Sequence, residues 1–301
     1  MRNILLGVGL ELIAVSCLTI LSQSQISRPI NKQFEISDCT VPYQANVSGA
    51  TYTVTRDLPF SPGDCIDVTA SGVTINLNGH SLGATPCSCA GVSISKDARG
   101  VHVFGGSIIG RSLQFGIHDM GDLALIEKVT VVAASFGISL DGVKGSIVRG
   151  ANVSGPQVVV GINLTDTDHC VVENSVANQN GEHGGGTGIF VGNSGLAPLS
   201  RDNFIVGNEA SHNDKWGIKI GGSKNVVVSN TAIGNSNDDG TQGEGIFVVQ
   251  NGNPGPADHN LIMNNSASQN GLDDAYDTNP QCGTNRWVLD DFATRNQNCI
   301  H

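Results

Sequence analysis

Residues 225–235 read NVVVSNTAIGN, and the same spacing returns in NFIVGNEASHN at 203–213 and in NLIMNNSASQN at 260–270. In each copy, asparagine occupies the first, sixth and last positions, and an aliphatic residue occupies the third. A looser copy runs through His169, Val171, Asn174 and Asn180 with one extra residue. A unit that returns at such spacing indicates a repeat protein, in which each unit packs on the next.

A second motif, Gly-apolar-x-apolar, recurs through the same region. Its copies are GVSI at 91, GISL at 137, GINL at 161, GIFV at 188, GIKI at 217 and GIFV at 245, with a degenerate GIHD at 116. Successive glycines are 21 to 29 residues apart. The two motifs together describe a coil of three short strands joined by turns. Coils stacked about 4.8 Å apart would form a continuous apolar core that no single coil could bury.

The asparagines are predicted to form ladders at the corners of the coils. Asparagine tolerates left-handed backbone angles, and its amide can hydrogen-bond to its copy in the coil above or below. We therefore expect Asn208, Asn230 and Asn265 to be aligned and largely buried.

The first and last coils show a family resemblance. SGVTINLNGHSLGA at 71–84 resembles the opening coil, and CGTNRWVLDDFATRNQNC at 282–299 the C-terminal cap, of bacterial proteins in the pectate-lyase-like superfamily. The resemblance implies an all-β fold, a right-handed single-stranded parallel β-helix (solenoid) with about eight to ten coils. It does not imply one function, since the fold carries lyases, epimerases, glycosidases and non-catalytic proteins.

Catalytic signatures of these enzymes are absent. The polygalacturonase type has Asn-x-Asp, Asp-Asp, Gly-His-Gly and Arg-x-Lys in order, and the nearest pieces here, around Asp168, His183 and Lys219, do not reproduce them. The Asp-Pro-His-Asp motif of the alginate-epimerase type is also missing. The nitrous-oxide accessory type is recognised mainly by its repeats and stays open. No catalytic residue is therefore transferred from the resemblance.

The N-terminus predicts export. One arginine precedes an apolar run from Ile4 to Leu21, as in secretory signals. The run is close to membrane-spanning length, and AVSC at 14–17 faintly resembles a lipoprotein box, so an N-terminal membrane anchor is the alternative. We expect a secreted, periplasmic or cell-surface protein. The predicted segments are 1–24, signal peptide or anchor; 25–65, N-terminal cap region; 66–280, parallel β-helix; and 281–301, C-terminal cap.

Composition narrows the ligand class. A net charge of −11 argues against nucleic acid, because phosphate binding needs clustered Lys and Arg. A polyanionic sugar would also be repelled unless a cation intervened. The eight cysteines include no CxxC pair, which argues against a zinc ribbon. In an exported chain, Cys39 with Cys65 and Cys282 with Cys299 are reasonable disulfides, and Cys170 is interpreted as a small buried apolar residue.

Strand alternation points to one candidate site. The second and fourth residues of each Gly-Ile strand face inward, so the third faces outward. The outward column is Ser93, His118, Ser139, Asn163, Phe190, Lys219 and Phe247. Lys219 thus lies between two phenylalanines, whose rings could take the C–H face of a sugar while the ammonium takes its oxygens. The Gly217 coil has short connections and its neighbours long ones, which predicts a cleft over Lys219. The alternative is that these loops cover the two rings.

Polar residues in the adjoining turns complete the candidate site. The candidate catalytic residues are Lys219, Lys215, Asp214 and His183, with a lysine or His183 as the base. The candidate substrate contacts are Trp216, Phe190, Phe247, Glu182 and His118. The candidate metal ligands are Asp238, Asp239 and Glu244, with calcium as the candidate ion.

Two functions remain open on the sequence alone, and both take a polysaccharide as partner. The first is an enzyme, most concretely a lyase or epimerase on an acidic glycan, or a glycosidase that uses two carboxylates. The second is a non-catalytic glycan-binding or cell-surface structural protein. A metal-handling periplasmic factor gains less support, because the chain has three Met residues and no Cys/His cluster.

Overall fold

The computed structural model describes residues 32–61, 63–84, 87–182, 185–195, 200–237, 240–250 and 257–301. Within those ranges, the regular structure consists of parallel β-strands and one 3-10 turn, Pro280–Cys282. The strands wind into a right-handed β-solenoid of about nine turns, which confirms the predicted parallel β-helix. No helix in this part of the chain is long and apolar enough to cross a membrane.

Most strands are short, because the chain turns a corner after each one. In chain order they are β1 (Gln33–Ile36), β2 (Tyr43–Ala45), β3 (Thr51–Val54), β4 (Leu58–Ser61), β5 (Ile66–Val68), β6 (Thr74–Asn76), β7 (Ser81–Ala84), β8 (Cys87–Ile94), β9 (His102–Asp119), β10 (Leu125–Asp141), β11 (Ile147–Arg149), β12 (Asn152–Gly155), β13 (Val160–Thr165), β14 (Val171–Glu173), β15 (Val176–Asn180), β16 (Thr187–Gly192), β17 (Phe204–Val206), β18 (Trp216–Ile220), β19 (Val226–Val228), β20 (Thr231–Ile233), β21 (Glu244–Val248), β22 (Leu261–Met263), β23 (Ser266–Ser268), β24 (Asp273–Asp277), β25 (Arg286–Val288) and β26 (Asp291–Phe292).

The strands stack in three columns. The column that contains the Gly-Ile strands is called the groove sheet: β2, β5, β8, the C-terminal parts of β9 and β10, then β13, β16, β18, β21 and β24. The second column runs from β1 through β3, β6, the N-terminal parts of β9 and β10, and then β11, β14, β17, β19 and β22 to β25. The third includes β4, β7, β12 and β15 and ends with β20, β23 and β26. Because β1 and β2 already pair with β3 and β5, the stacking extends into residues 33–65, which the sequence assigns to the N-terminal cap region.

The glycine that opens each Gly-Ile strand is required by the stacking itself. A Cβ atom at Gly188 would lie 2.7 Å from the carbonyl oxygen of Gly217, and a Cβ at Gly217 would lie 2.5 Å from that of Gly245. Neither contact is sterically tolerable, so a side chain here would push neighbouring coils apart. The glycine therefore recurs because the backbone of the next coil approaches so closely.

The core is formed by the inward residues of these strands. Ile189 pairs in register with Ile218, and Ile218 with Ile246. All three side chains are 0% exposed. The predicted inward stack is confirmed, and with it the parity that places the third residue of each strand on the outer surface.

The predicted asparagine ladder is also confirmed. Asn208 donates from Nδ2 to Oδ1 of Asn230 over 3.0 Å, and Asn230 does the same to Asn265 over 3.0 Å. The three residues are at most 2% exposed. Their backbone N–H groups donate to the same oxygens, so each amide oxygen accepts two hydrogen bonds from the preceding coil.

The looser fourth copy of the motif is shifted by one residue from the sequence prediction. The ladder positions before Asn203 and Asn208 are Cys170 and Ser175, whose backbone N–H groups donate to those asparagines over 2.9 Å each. His169 and Asn174, which the motif assigns to the ladder, instead have positive φ angles of 56° and 48°. The left-handed conformation therefore belongs to the residue before each ladder position, and the ladder amide is retained for its hydrogen bonds.

The ladders end in carboxylates at the C-terminal side. In each ladder the asparagine amide donates one hydrogen bond to the amide oxygen of the next coil. The last amide therefore needs an acceptor that brings no further donor, and an ionised carboxylate has none. The terminal pairs are Asn265 with Asp290 at 2.9 Å, Asn270 with Asp274 at 2.8 Å and Asn285 with Asp277 at 3.0 Å. At the other end, Asn180 Oδ1 is buried and has no hydrogen-bond partner among the described residues.

Both predicted disulfides are present. Cys39 is bonded to Cys65 near the first coil, and Cys282 to Cys299 in the last. Cys170 is free and buried, and burial raises the pKa of its thiol to about 12, in agreement with its interpretation as an apolar core residue. The disulfides indicate an oxidising compartment, as expected for an exported protein.

The carboxyl group of Asp119 is buried inside the coil. Asp119 is 0% exposed, and its carboxylate accepts hydrogen bonds from Gly121 N at 3.0 Å and from Ser146 Oγ at 2.9 Å. Burial nevertheless raises its pKa to about 7, because the charged form loses its water and these two hydrogen bonds only partly compensate.

Asp119→Asn should stabilise the protein at about pH 8 but not at about pH 4. A raised pKa favours the protonated native state, so stability is lost as the pH rises from the unfolded value of 3.8 to about 7. Asparagine removes that loss, and we expect a gain of about 2 to 4 kcal/mol at the higher pH. Chemical denaturation at both pH values measures it, with the exposed Asp97→Asn as the control. Equal effects at the two pH values would contradict the assignment.

Candidate functional site

The outer face of the groove sheet carries the predicted column. Strand register aligns Ser93, His118, Ser139, Asn163, Phe190, Lys219 and Phe247 on successive coils, and Tyr276 extends the column. A second outward column lies three residues earlier along the chain, because the two residues between the columns are both buried. It contains Phe115, Phe136, Val160, Thr187, Trp216, Glu244 and Asp273. The two columns form the floor of the candidate site.

Lys219 lies among three aromatic rings. Its Nζ atom is 3.8 Å from the ring centroid of Trp216 and 5.7 Å from the centroids of both Phe190 and Phe247. The Nζ atom of Lys215 is 4.2 Å from the same indole. Trp216 also stacks on Phe247, with ring centroids 5.7 Å apart. The indole thus holds two ammonium groups at one place on the surface.

In the part of the chain that the structure describes, Lys215 and Lys219 have no carboxylate partner. Arg99, Lys128, Arg149 and Arg201 each form an ion pair with an acidic residue. For Lys215 and Lys219, no such pair exists within the described residues. The pKa of Lys219 is lowered, first by burial and second by the charge of Lys215, while Glu244 acts in the opposite direction.

Glu244 lies in register with Trp216 on the next coil. It is 7% exposed, and burial raises its pKa, an effect that the indole N–H of Trp216 and the charge of Lys215 reduce. Asp273 follows in register, and its pKa is also raised, mainly by burial. Glu244 and Asp273 thus lie in register on adjacent coils, and burial raises the pKa of both carboxyl groups.

An open groove of about 510 Å³ runs from Lys219 toward the N-terminal coils. Its described lining residues are Gln114, Phe115, Phe136, Ser139, Asp141, Val159, Val160, Asn163, Thr165, Gly185, Thr187, Phe190, Lys215, Trp216 and Lys219. Three of them are charged: the two lysines at one end and Asp141 near the other. The cleft predicted to be centred on Lys219 is therefore displaced to one side of it, because the stacked Trp216 and Phe247 occupy the other side.

The far end of the groove is aromatic and acidic. The ring of His118 stacks on Phe115 at 4.1 Å, and Phe115 stacks on Phe136 at 5.4 Å. His118 Nε2 is buried, lies 3.7 Å from Asp141 Oδ2 and makes no hydrogen bond in the described structure. The side chain of Asp141 is 50% exposed.

The middle of the groove floor is polar but neutral. Asn163 donates from Nδ2 to Ser139 Oγ over 2.9 Å, and Thr165 Oγ1 donates to Asn163 Oδ1 over 3.2 Å. Both Asn163 and Ser139 are buried. This section therefore carries hydrogen-bonding groups that already satisfy one another, between two ends of opposite charge.

The structure brings together some of the sequence-predicted site residues. Lys219, Lys215, Trp216 and Phe190 line the groove, Phe247 closes its lysine end and His118 lies beneath Asp141. Asp214 lies elsewhere: its Oδ2 accepts a hydrogen bond from Gly185 N at 2.9 Å, and it lines a separate depression with His212 and Gln179. Asp214 is therefore not among the residues that line the groove. Glu182 is exposed and does not line the groove.

Three predicted residues lie outside the described residues: His183, Asp238 and Asp239. The same applies to residues 196–199 and 251–256, in the long connections predicted to flank the cleft. Of the three proposed calcium ligands, only Glu244 therefore lies within the described residues.

Phe115, Phe136 and Asp141 are among the lining residues that the sequence interpretation missed. The first two precede the glycine of a Gly-Ile strand, and Asp141 follows the last apolar residue of one. Asp141 lies two residues after the third residue of its strand and therefore has the same outward parity. Phe115 and Phe136 lie three residues before that position, where strict alternation would turn them inward, and they face outward because the glycine and the residue after it are both buried. Alternation therefore gave a signal for Asp141 but not for the two phenylalanines.

Comparison with known proteins identifies the family. The family described as "Periplasmic copper-binding protein (NosD)" matches residues 63–298, which is most of the chain. The chain belongs to the NosD family. No curated protein matches the NosD-family chain in sequence.

Solved structures with the same fold are distant in sequence. The alginate lyase from Paenibacillus sp. str. FPU-7 is 12% identical, with a TM-score of 0.61 over 90% of this chain and 99% of that chain. The AlgE4 A-module, a mannuronan C-5 epimerase of Azotobacter vinelandii, is 12% identical, with a TM-score of 0.46 over 86% of this chain and 84% of that chain. At these identities, the likeness shows the fold alone.

The family description implies copper, and the described residues do not fit a copper centre. Proteins hold copper mainly with imidazole, thiolate and thioether groups. The one described group of three potential ligands is Asp168, His169 and Asp202, which offers a single imidazole. The guanidinium of Arg201 lies 3.4 Å from Asp168 and 3.9 Å from Asp202, so a cation already balances these carboxylates. Cys170 is adjacent in sequence but buried and protonated.

Proposed function

We propose that this exported β-helix protein binds an acidic polysaccharide in the groove and acts on it as a lyase or epimerase. The observation that carries the proposal is the pair of lysines, Lys215 and Lys219, which lie on the aromatic wall of a groove and have no ion-pair partner among the described residues. The protein as a whole has a net charge of −11, so a local positive site is the feature that an anionic sugar needs. An alginate lyase with the same fold provides a precedent for this substrate class.

The aromatic residues supply the rest of the binding surface. Phe190, Trp216 and the stacked pair of Phe115 and Phe136 present apolar area along the groove. The C–H face of a pyranose ring packs on such rings, while its hydroxyl groups reach side chains such as Thr187 and Thr165 at the edges. A sugar carboxylate at the indole would accept hydrogen bonds from both ammonium groups.

The lowered pKa of Lys219 supports proton abstraction. Burial and Lys215 increase the neutral fraction of this amine, which can then act as a base, while Lys215 neutralises the uronate carboxylate. In a lyase, the base removes the C5 proton, the C4–C5 double bond forms and the C4–O bond breaks, with a proton taken up by the leaving oxygen. In an epimerase, C5 is reprotonated from the opposite face. A two-carboxylate glycosidase is less well supported, since Asp141 is the one carboxylate among the described lining residues.

Glycan binding without turnover is the second candidate, and one experiment separates the two. The purified protein is mixed with a panel of neutral and uronate-containing polysaccharides, with and without calcium, and binding and ultraviolet absorbance are measured. We expect binding to uronate-containing chains, with new absorbance from an unsaturated product if the protein is a lyase, or inversion at C5 seen by NMR if it is an epimerase. Binding with neither change would identify a binding protein. Equal or better binding to neutral chains would contradict the proposed function.

A further inference from the structure

The groove has opposite charges at its two ends. Asp141 and Lys219 belong to coils that are three strand spacings apart, through β10, β13, β16 and β18, so they are separated by about 14 Å along the solenoid axis. That separation is longer than a single pyranose ring. A bound glycan that follows the groove would therefore place different sugar residues at the two ends.

Asp141 is placed to contact a ligand rather than to stabilise the fold. Half of its side chain is exposed to the groove, and its nearest ionisable partner, His118 Nε2, is 3.7 Å away, which is too far for a hydrogen bond. The adjacent Phe115 and Phe136 form a stacked platform for a sugar ring. A carboxylate beside such a platform accepts hydrogen bonds from hydroxyl or amide N–H groups, and it repels a second carboxylate.

We propose that the groove selects a glycan whose acidic and uncharged sugars alternate, rather than a homopolymer of uronate. The acidic sugar lies at Lys215 and Lys219, and a sugar with hydroxyl or acetamido groups lies at Asp141. Ser139 and Asn163 form the floor between these two ends, and because both side chains are uncharged they favour neither an acidic nor an uncharged sugar. This inference rests on the proposed function, since it assigns the substrate class of the same groove.

The polarity also fixes the register of the bound chain. The lysines and the carboxylate lie at fixed positions on paired strands, so shifting the chain by one sugar would bring an acidic sugar to Asp141 and an uncharged one to the lysines. A homopolymer of uronate has no favourable register, because every placement of the chain in the groove puts a sugar carboxylate near Asp141.

The test compares two probes of similar length: oligosaccharides of polygalacturonate, a uronate homopolymer, and of unsulfated chondroitin, in which uronate alternates with N-acetylhexosamine. Calorimetry at low salt should show at least about tenfold tighter binding of the alternating probe to the full protein. Asp141→Asn should raise affinity for the homopolymer by about threefold or more and narrow that ratio, because it removes a like charge. The same change at the exposed Asp97, Asp97→Asn, should leave the ratio unchanged.

The results separate the alternating-glycan inference from the acidic-glycan binding on which it rests. Equal affinity for both probes, or an unchanged ratio in Asp141→Asn, would overturn the alternating-glycan inference and leave acidic-glycan binding intact. Failure of the unmodified protein to bind either probe would overturn both. The melting temperature of Asp141→Asn should stay close to that of the unmodified protein, since the side chain is half exposed and makes no hydrogen bond in the described structure.

Discussion

Ile218→Asp should abolish folding or leave a protein that melts at much lower temperature. Ile218 is 0% exposed and lies between Ile189 and Ile246 of the adjacent coils, so a carboxylate there would be surrounded by aliphatic side chains on successive layers. An unpaired buried carboxylate costs several kcal/mol even after its pKa has risen, and the lost packing adds to that. We expect a loss of about 5 kcal/mol or more in the free energy of unfolding.

Circular dichroism and chemical denaturation measure the effect, and Ile218→Val is the matched control. Valine keeps the inward apolar contact and should cost about 1 kcal/mol. A soluble Ile218→Asp variant with the β-spectrum and unfolding midpoint of the unmodified protein would show that this residue faces outward. That result would invert the parity of every Gly-Ile strand and remove Lys219 from the surface column.

The sequence predicted the fold well because the solenoid repeats a short set of local requirements. Gly188 and Gly217 are needed wherever the next backbone approaches, and Asn208 and Asn230 wherever a corner amide must meet its copy. Each requirement recurs in every coil, so the periodic residues were sufficient to predict the fold. The register around Asn174 was wrong by one residue, because the ladder position there is taken by Ser175, which does not match the motif.

The candidate site was predicted less completely, for a physical reason. Lys219 and its phenylalanines follow from parity within one strand and its two neighbours, which the sequence displays directly. The position of the groove, in contrast, depends on which aromatic rings stack on rings of the next coil, because stacked rings fill part of the surface. Trp216 stacks on Phe247 and fills one side of Lys219, so the open space lies toward Phe136 and Asp141. Side-chain stacking of this kind has no periodic signature.

Lys219→Ala should abolish turnover and weaken glycan binding by at least about tenfold, while changing the free energy of unfolding by less than about 1 kcal/mol. The ammonium is unpaired within the described structure and lies 3.8 Å from the Trp216 ring, so its removal takes away a cation at the groove but little core packing. The exposed Lys96→Ala is the charge-matched control and should leave both affinity and turnover unchanged.

Lys219→Arg separates the two roles assigned to this side chain. Arginine keeps the positive charge and the contact with the indole, but it is not deprotonated in proteins and cannot act as a base. Binding should therefore be largely retained while turnover is lost. The proposed turnover by the unmodified protein should rise with pH as the amine of Lys219, whose pKa is lowered, becomes neutral. Full turnover in Lys219→Arg would assign the proton transfer to another residue. Unchanged affinity in Lys219→Ala would move the glycan away from the lysine end of the groove altogether.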